Sequence, residues 1–203
     1  MFVARFKFFN LLVLQGIIMI ATKESMENDA VDLTDVDRLV IAIVSSGSVR
    51  RTRLQKLSLL HSAISLKNPE LLHSAHFFGG YSDDVEESSE DLLDIGVLRE
   101  NGTTYSLSEY GKSLKNYLDQ NDAEFKNMSE SVHGLVSSLS KVSDEKIVAM
   151  TYAFYPELTT QSTIMDKVNN INDKMTVNNK PVKTMSRAEF EKMLLDKNIL
   201  SVE

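Results

Sequence analysis

A hairpin signal that lies between helical patterns constrains the fold of this chain more than any other feature of its sequence. Residues 97–99 and 104–107 flank Asn101-Gly102, a dipeptide suited to a type I′ turn between two antiparallel strands. Before and after this segment, apolar residues recur at the spacing of amphipathic helices. We therefore expect a mainly helical domain that contains one two-stranded hairpin.

Two helices are predicted well before the hairpin. Thr34 and Asp37 form a capping signature, and apolar residues then recur at helical spacing until Gly47. A second helix is predicted from about Thr52 to Pro69, and Pro69 is also well placed as the first residue of a further short helix.

A third helix is predicted directly before the hairpin and a fourth directly after it. Ser82 is the expected cap of the third helix, Gly96 its end, and Ser108 the cap of the fourth. Three helices, a hairpin and a helix follow each other in this order in a winged helix-turn-helix, where the hairpin is the wing and the third helix reads DNA. The connection over residues 67–81 is much longer than the usual turn. We predict a mainly α (α+β) fold with a winged helix-turn-helix, a two-stranded wing, over residues 31–120.

An additional C-terminal helical region is predicted over residues 121–203. The patterns indicate helices over residues 122–140, 143–155 and 159–171, a loop or short hairpin over 172–185, and a last helix after it. Ser186 and Glu189 form a capping box for that last helix.

The first 30 residues form an N-terminal extension that differs from the rest of the chain. Arg5 and Lys7 precede an apolar run that has the length of a signal-peptide core and is short for a membrane span. Three interpretations stay open: a translation start at Met19 or Met26, a signal or membrane anchor, or an ordered extra helix or strand.

Several short motifs resemble a known family when they are taken in order. They are Arg53-Leu54-Gln55-Lys56-Leu57, Phe78-Gly79-Gly80-Tyr81-Ser82, Tyr105-Ser106-Leu107-Ser108 with Gly111, and Tyr-Ala-Phe-Tyr-Pro-Glu at residues 152–157 with Ser162. The set resembles the uncharacterised YwgA-like proteins and, more distantly, the Panacea domain of antitoxins, over about residues 35–170. The resemblance to Panacea proteins implies neutralisation of a toxin through protein contacts, whereas the YwgA-like family implies no particular activity.

The third predicted helix carries seven acidic residues and no basic residue. They are Asp83, Asp84, Glu86, Glu87, Glu90, Asp91 and Asp94. In a DNA groove these carboxylates would face phosphates, so this helix is a poor DNA reader. The pattern favours a solvated acidic face or a docking surface for a basic partner. The candidate contacts for a partner are Asp83, Asp84, Glu87, Glu90 and Asp91.

Positive charge is concentrated at the start of the second predicted helix. Arg50, Arg51, Arg53 and Lys56 fall within seven residues, and they are candidates to bind nucleic acid or an acidic protein surface together with Arg99 of the hairpin. The alternative is that these side chains pair with the acidic helix or are simply solvated.

No motif in the sequence predicts a cofactor, a metal site or catalysis. Glu70, His73 and His76 follow each other at spacings of three, but no fourth ligand is apparent, so hydrogen-bonded or surface histidines are expected. Gly79-Gly80 lacks the lysine of a phosphate-binding loop and is expected to form a bend. The tyrosines and phenylalanine of residues 152–155 are expected in the core or an interface.

These patterns predict a non-enzymatic interaction module that binds a protein partner, regulatory or antitoxin-like in kind. The alternative is a transcription regulator that contacts DNA through the wing and the basic cluster. The chain has a net charge of −7 and no cysteine, which fits a reducing, cytoplasmic location. No membrane contact is expected for the core domain, and a homodimer through the C-terminal helices is an open alternative.

Overall fold

The computed structural model describes residues 26–65, 72–177 and 179–196, together with the backbone of residues 201–202. The chain divides into two compact units, Met1–Thr34 and Asp35–Glu203. Residues 26–32 of the first unit are helical. The interpretations of residues 1–25 and the short helix predicted at Pro69 lie outside the described residues.

The second unit is mainly helical and contains two small antiparallel sheets, which confirms the α+β class. Its helices are α1 (Asp35–Ser45), α2 (Arg51–Ser65), α3 (Asp83–Asp94), α4 (Glu109–Asn121), α5 (Ala123–Ser138), α6 (Asp144–Phe154), α7 (Met165–Asn172) and α8 (Arg187–Leu195). Its strands are β1 (Val49–Arg50), β2 (Leu98–Asn101), β3 (Thr104–Leu107), β4 (Met175–Val177), β5 (Lys180–Pro181) and β6 (Ser201–Val202).

Side-chain caps fix the helix starts where the sequence predicts them. The Ser82 hydroxyl accepts a hydrogen bond from the Val85 amide at the start of α3, and the Ser108 hydroxyl accepts one from the Gly111 amide at the start of α4. Ser186 forms the predicted reciprocal capping box with Glu189 at the start of α8. Each cap satisfies an amide that has no partner within its own helix.

The predicted hairpin is present, but its turn lies one residue later than expected. Strands β2 and β3 pair from Leu98 with Leu107 to Asn101 with Thr104, so Gly102 and Thr103 form the turn. A type I′ turn requires a positive φ at both central residues. Only Gly102, with φ of 63°, has one, and the prediction of a type I′ turn at Asn101-Gly102 is wrong.

Strand β1 is too short to give a sequence pattern and was not predicted. It pairs antiparallel with β3, with Val49 opposite Tyr105 and Arg50 opposite Thr104. The resulting sheet has the order β1-β3-β2. Because α2 begins directly after β1, the basic start of α2 is fixed beside the hairpin.

The core of the second unit includes residues from both regions that the sequence separates at residue 120. Helix α1 packs against α3, α4 and α5, and α2 packs against α6. Val40, Ile41 and Ile43 of α1 are almost completely buried, as is Phe125 of α5. Strands β4 and β5 pair as a short hairpin, which is one of the two alternatives predicted for residues 172–185. None of the helices in the described part of the chain combines the length and apolar character needed to cross a bilayer.

Candidate functional site

Arg53, at the start of α2, is engaged in contacts inside the fold. One guanidinium nitrogen donates to the Val142 carbonyl and to the Asp144 carboxylate, each at 2.9 Å, and the other donates to the Leu139 carbonyl at 2.8 Å. The side chain is only 15% exposed. Arg53 therefore joins α2 to the connection between α5 and α6, where it satisfies two carbonyl oxygens.

Lys56, one helical turn later, is buried although it carries a charge. Lys56 is 2% exposed, and its ammonium group donates to the carbonyl oxygens of Phe78 and Gly80, both at 2.7 Å. Burial lowers the pKa of Lys56 to about 8. Lys56 thus holds the segment before α3 and is not presented to an outside partner in this conformation.

The remaining bases of the predicted cluster lie nearer the surface. Arg51 donates to Glu100 of β2 at 3.0 Å and lies 3.4 Å from Glu86 of α3. The hydrogen bond to Glu100 raises the pKa of Arg51. Arg50 is 70% exposed and has a long contact of 3.6 Å with Asp144, and Arg99 is exposed on β2. Only the pair of Arg51 with Glu86 matches the expected pairing with the acidic helix.

Helix α3 buries one face and exposes its acidic residues. Val85, Ser88, Ser89 and Leu92 form its buried face. Six of its seven acids are exposed, and no ion pair formed by the described residues includes any of the six. We call these six residues the acidic face: Asp83, Asp84, Glu87, Glu90, Asp91 and Asp94. The acidic face has charge that the fold does not neutralise.

The positions of these acids along α3 do not all favour the helix. Asp83 and Asp84 lie in its first turn, where carboxylates are stabilised by the positive end of the helix dipole. Asp91 and Asp94 lie in its last turn, which has no basic residue, so they face the negative end of the dipole. Glu87 lies four residues from both Asp83 and Asp91, a spacing at which like charges repel each other. The second half of the acidic face therefore opposes helix stability.

Three of the four motifs that carry the family resemblance are in direct contact. The Gln55 side-chain amide exchanges two hydrogen bonds with the backbone of Ser82, at 3.0 and 2.9 Å, beside the contacts of Lys56. Gly79 has φ of 80°, and a side chain there would place its Cβ 2.3 Å from the Tyr152 ring. The Tyr152 hydroxyl lies 2.8 Å from the Ser162 hydroxyl. These residues, distant in sequence, hold the segment over residues 72–82, which we call the clamped segment.

The clamped segment presents an aromatic surface that sequence reasoning missed. Phe77 and Phe78 are each 54% exposed. The His76 ring lies 5.0 Å from the Phe77 ring and stacks on Tyr81 at 4.7 Å. Burial, together with the nearby carboxylates of Glu86 and Asp83, raises the pKa of Tyr81 to about 12. The sequence feature that could have predicted this surface is the pair of adjacent phenylalanines in a polar, glycine-containing stretch.

Two of the three residues considered for a metal site, His73 and His76, lie in the described part of the chain. His73 is buried, His76 belongs to the aromatic stack, and Glu70 lies outside the described residues. Over the described part of the chain, no group of three or more histidine and acidic side chains has the arrangement of a metal site.

The aromatic residues of α6 and the position after it lie in the core, as predicted. Phe154 stacks on Phe190 of α8 with ring centroids 3.9 Å apart, and Tyr152 and Tyr155 are almost fully buried.

Scans of this chain against protein-family models, curated proteins and solved structures give no match. The contrast between an engaged basic cluster and an unneutralised acidic face is therefore the main guide to function.

Proposed function

We propose that this chain is a non-enzymatic, regulatory or antitoxin-like protein with a winged-helix core that binds a basic protein partner through the acidic face of α3. The order of α1, β1, α2, α3 and the β2–β3 hairpin supports the winged-helix assignment. The contacts of Gln55 and Lys56 with the clamped segment join two of the motifs that resemble the YwgA-like proteins into one structural unit.

The observation that carries the proposal is the state of the acidic face. Six exposed carboxylates have no ion pair among the described residues, and two of them lie at the unfavourable end of the helix dipole. Folding does not account for this arrangement. A partner with lysines and arginines at matching positions would neutralise the face, gaining electrostatic attraction during association and in the complex.

A second candidate is a transcription regulator that contacts DNA through the hairpin and the start of α2. The exposure of Arg50 and Arg99 favours it. Against it, Arg53 and Lys56 already donate to groups inside the fold, and the acidic face lies where a winged helix presents its recognition helix.

The proposed function is tested by anisotropy of a fluorescent, lysine-rich helical peptide titrated with the protein at low salt. The test variant is Glu87→Gln/Asp91→Asn/Asp94→Asn. The control variant, Glu124→Gln/Glu130→Gln/Asp166→Asn, removes the same charge from exposed positions on α5 and α7. We expect the test variant to bind about tenfold more weakly, since each exposed charge contributes up to about 1 kcal/mol, and the control to change by less than about twofold. Equal losses would overturn the proposal, because net charge alone would then explain binding.

A further inference from the structure

We infer that Phe77 and Phe78 form a rigid apolar anchor, beside the acidic face, for a basic protein segment that carries an aromatic or large aliphatic side chain. The inference rests on the proposed function and names the chemistry of the partner. Adjacent exposed phenylalanines are unusual on a surface without a binding role, and aromatic anchors supply much of the energy of protein interfaces.

The backbone of these two residues is held from several directions. The Phe77 carbonyl accepts a hydrogen bond from the Thr163 amide at 3.1 Å, and the Phe78 carbonyl accepts one from Lys56 at 2.7 Å. The next residue, Gly79, is pressed against the ring of Tyr152. Helix α2, helix α6 and the segment before α7 thus all fix the position of the phenylalanine pair.

Holding the pair in this way requires a buried lysine, which is a costly side chain to remove from water. The lysine donates to the carbonyl oxygens of Phe78 and Gly80 and so holds the backbone that carries two phenylalanine side chains exposed to solvent. A surface that is ordered before binding loses less entropy when a partner docks. The clamp therefore has the effect expected of a preorganised anchor.

Charge around the anchor selects the kind of partner. The stack of His76 on Tyr81 connects the phenylalanine surface to the start of α3, because Tyr81 directly precedes Ser82, the cap of that helix. Asp83 and Asp84 of the acidic face are at that start. A second copy of this chain, with a net charge of −7, would add like charge to this surface, whereas a basic segment complements it.

Two labelled peptides of equal charge test the inference. One is a lysine-rich helical peptide with a single tryptophan at its centre, and the other has serine in place of the tryptophan. We expect the wild-type protein to bind the tryptophan peptide about tenfold more tightly, because a buried aromatic anchor typically contributes this much or more. The variant Phe77→Ser/Phe78→Ser should bind both peptides as the wild type binds the serine peptide. The control Leu195→Ser, which removes an exposed leucine from α8, should keep the preference.

The outcomes separate this inference from the proposed function. Equal binding of both peptides by the wild type would overturn the anchor and leave the acidic face as the binding surface. If neither peptide binds at low salt, the result contradicts the proposed function itself. Sedimentation of the wild type and of Phe77→Ser/Phe78→Ser tests whether a second copy of this chain covers the surface instead. A wild-type dimer that becomes a monomer in the variant would overturn the inference.

Discussion

The start of α2 and the outer face of α3 carry similar densities of opposite charge in the sequence, yet the fold treats them differently. At the start of α2, Arg53 and Lys56 each donate to carbonyl oxygens of other segments. On α3, six carboxylates stay exposed without an ion pair among the described residues. A cluster of charge in a sequence therefore indicates a binding surface only when the fold does not engage it.

Burial explains the difference. Helix α2 is buried along a continuous run from Leu54 to Ala63, so a charged side chain on it must find internal partners or remain unsatisfied. Helix α3 buries only one face, and its carboxylates can all reach water. Long arginine and lysine side chains can also reach distant carbonyl oxygens and donate to them, whereas carboxylates only accept hydrogen bonds and find donors in water.

The largest expected effect is on Arg53. The substitution Arg53→Met removes the donors to Leu139 and Val142 and leaves Arg50, 3.6 Å away, as the ion-pair partner of Asp144 among the described residues. We expect the free energy of unfolding to fall by about 3 to 5 kcal/mol, measured by urea denaturation. The control Glu90→Gln on α3 should change it by less than about 0.5 kcal/mol. A loss below about 1 kcal/mol for Arg53→Met would contradict the structural role of the cluster.

Lys56 gives the next effect, which appears as a dependence of stability on pH. Its pKa in the folded protein is about 8, below the value of about 10.4 in an unfolded chain. Between these values the unfolded state binds more protons, so stability rises with pH. The burial penalty is complete below pH 8 and is relieved by at most about 3 kcal/mol toward pH 10.4.

The measurement for Lys56 is the difference in unfolding free energy between the wild type and Lys56→Met, taken at several pH values from 7 to 10. The comparison cancels the titration of other groups, including the tyrosines. The wild type should gain stability relative to the variant as pH rises. Parallel curves would show that the lysine is more solvated than its contacts indicate.

Glu87 should give an effect of the opposite sign. It lies one helical turn from Asp83 and from Asp91, and no ion pair of the described residues includes it. Glu87→Gln should therefore stabilise the protein by about 0.5 kcal/mol at low salt, and the gain should disappear in 1 M salt because the repulsion is screened. Destabilisation would mean that Glu87 has a structural role, which would weaken the contrast between α2 and α3.

Substitution of Arg50 should give the smallest effect. It separates the exposed part of the basic cluster from the part that forms contacts inside the fold. Its side chain is 70% exposed and its contact with Asp144 is 3.6 Å long. Arg50→Gln should change the unfolding free energy by less than about 0.5 kcal/mol, measured in the same urea series as Arg53→Met. A loss of unfolding free energy comparable to that of Arg53→Met would show that Arg50 also stabilises the fold.

Local signals in the sequence predicted much of the fold. The caps at Ser82, Ser108 and Ser186 and the β2–β3 hairpin are confirmed because each depends on residues within a few positions of one another. The turn was displaced by one residue because strand pairing includes Asn101. Strand β1 depends on pairing with β3, more than 50 residues later, and two residues give no periodic pattern.

The candidate site was less predictable because its contacts also join residues that are distant in sequence. Arg53 contacts residues 86 to 91 positions away, so its sequence neighbourhood does not reveal whether it is free. The sequence shows that α3 is acidic, but only the structure shows that the acidic face has no ion pair among the described residues. The exposure of Phe77 also depends on distant contacts, namely those of its backbone with Thr163 and of the adjacent Phe78 with Lys56.

The most direct test of the central claim compares two labelled probes in one anisotropy experiment, a lysine-rich helical peptide and a DNA duplex, each titrated with the protein over a salt series. The account predicts that the peptide binds at low salt, weakens as salt rises, and loses affinity in Glu87→Gln/Asp91→Asn/Asp94→Asn, while the duplex does not bind. Binding of the duplex that is lost in Arg50→Glu/Arg99→Glu, with no binding of the peptide, would contradict the account and establish the basic surface as the functional one.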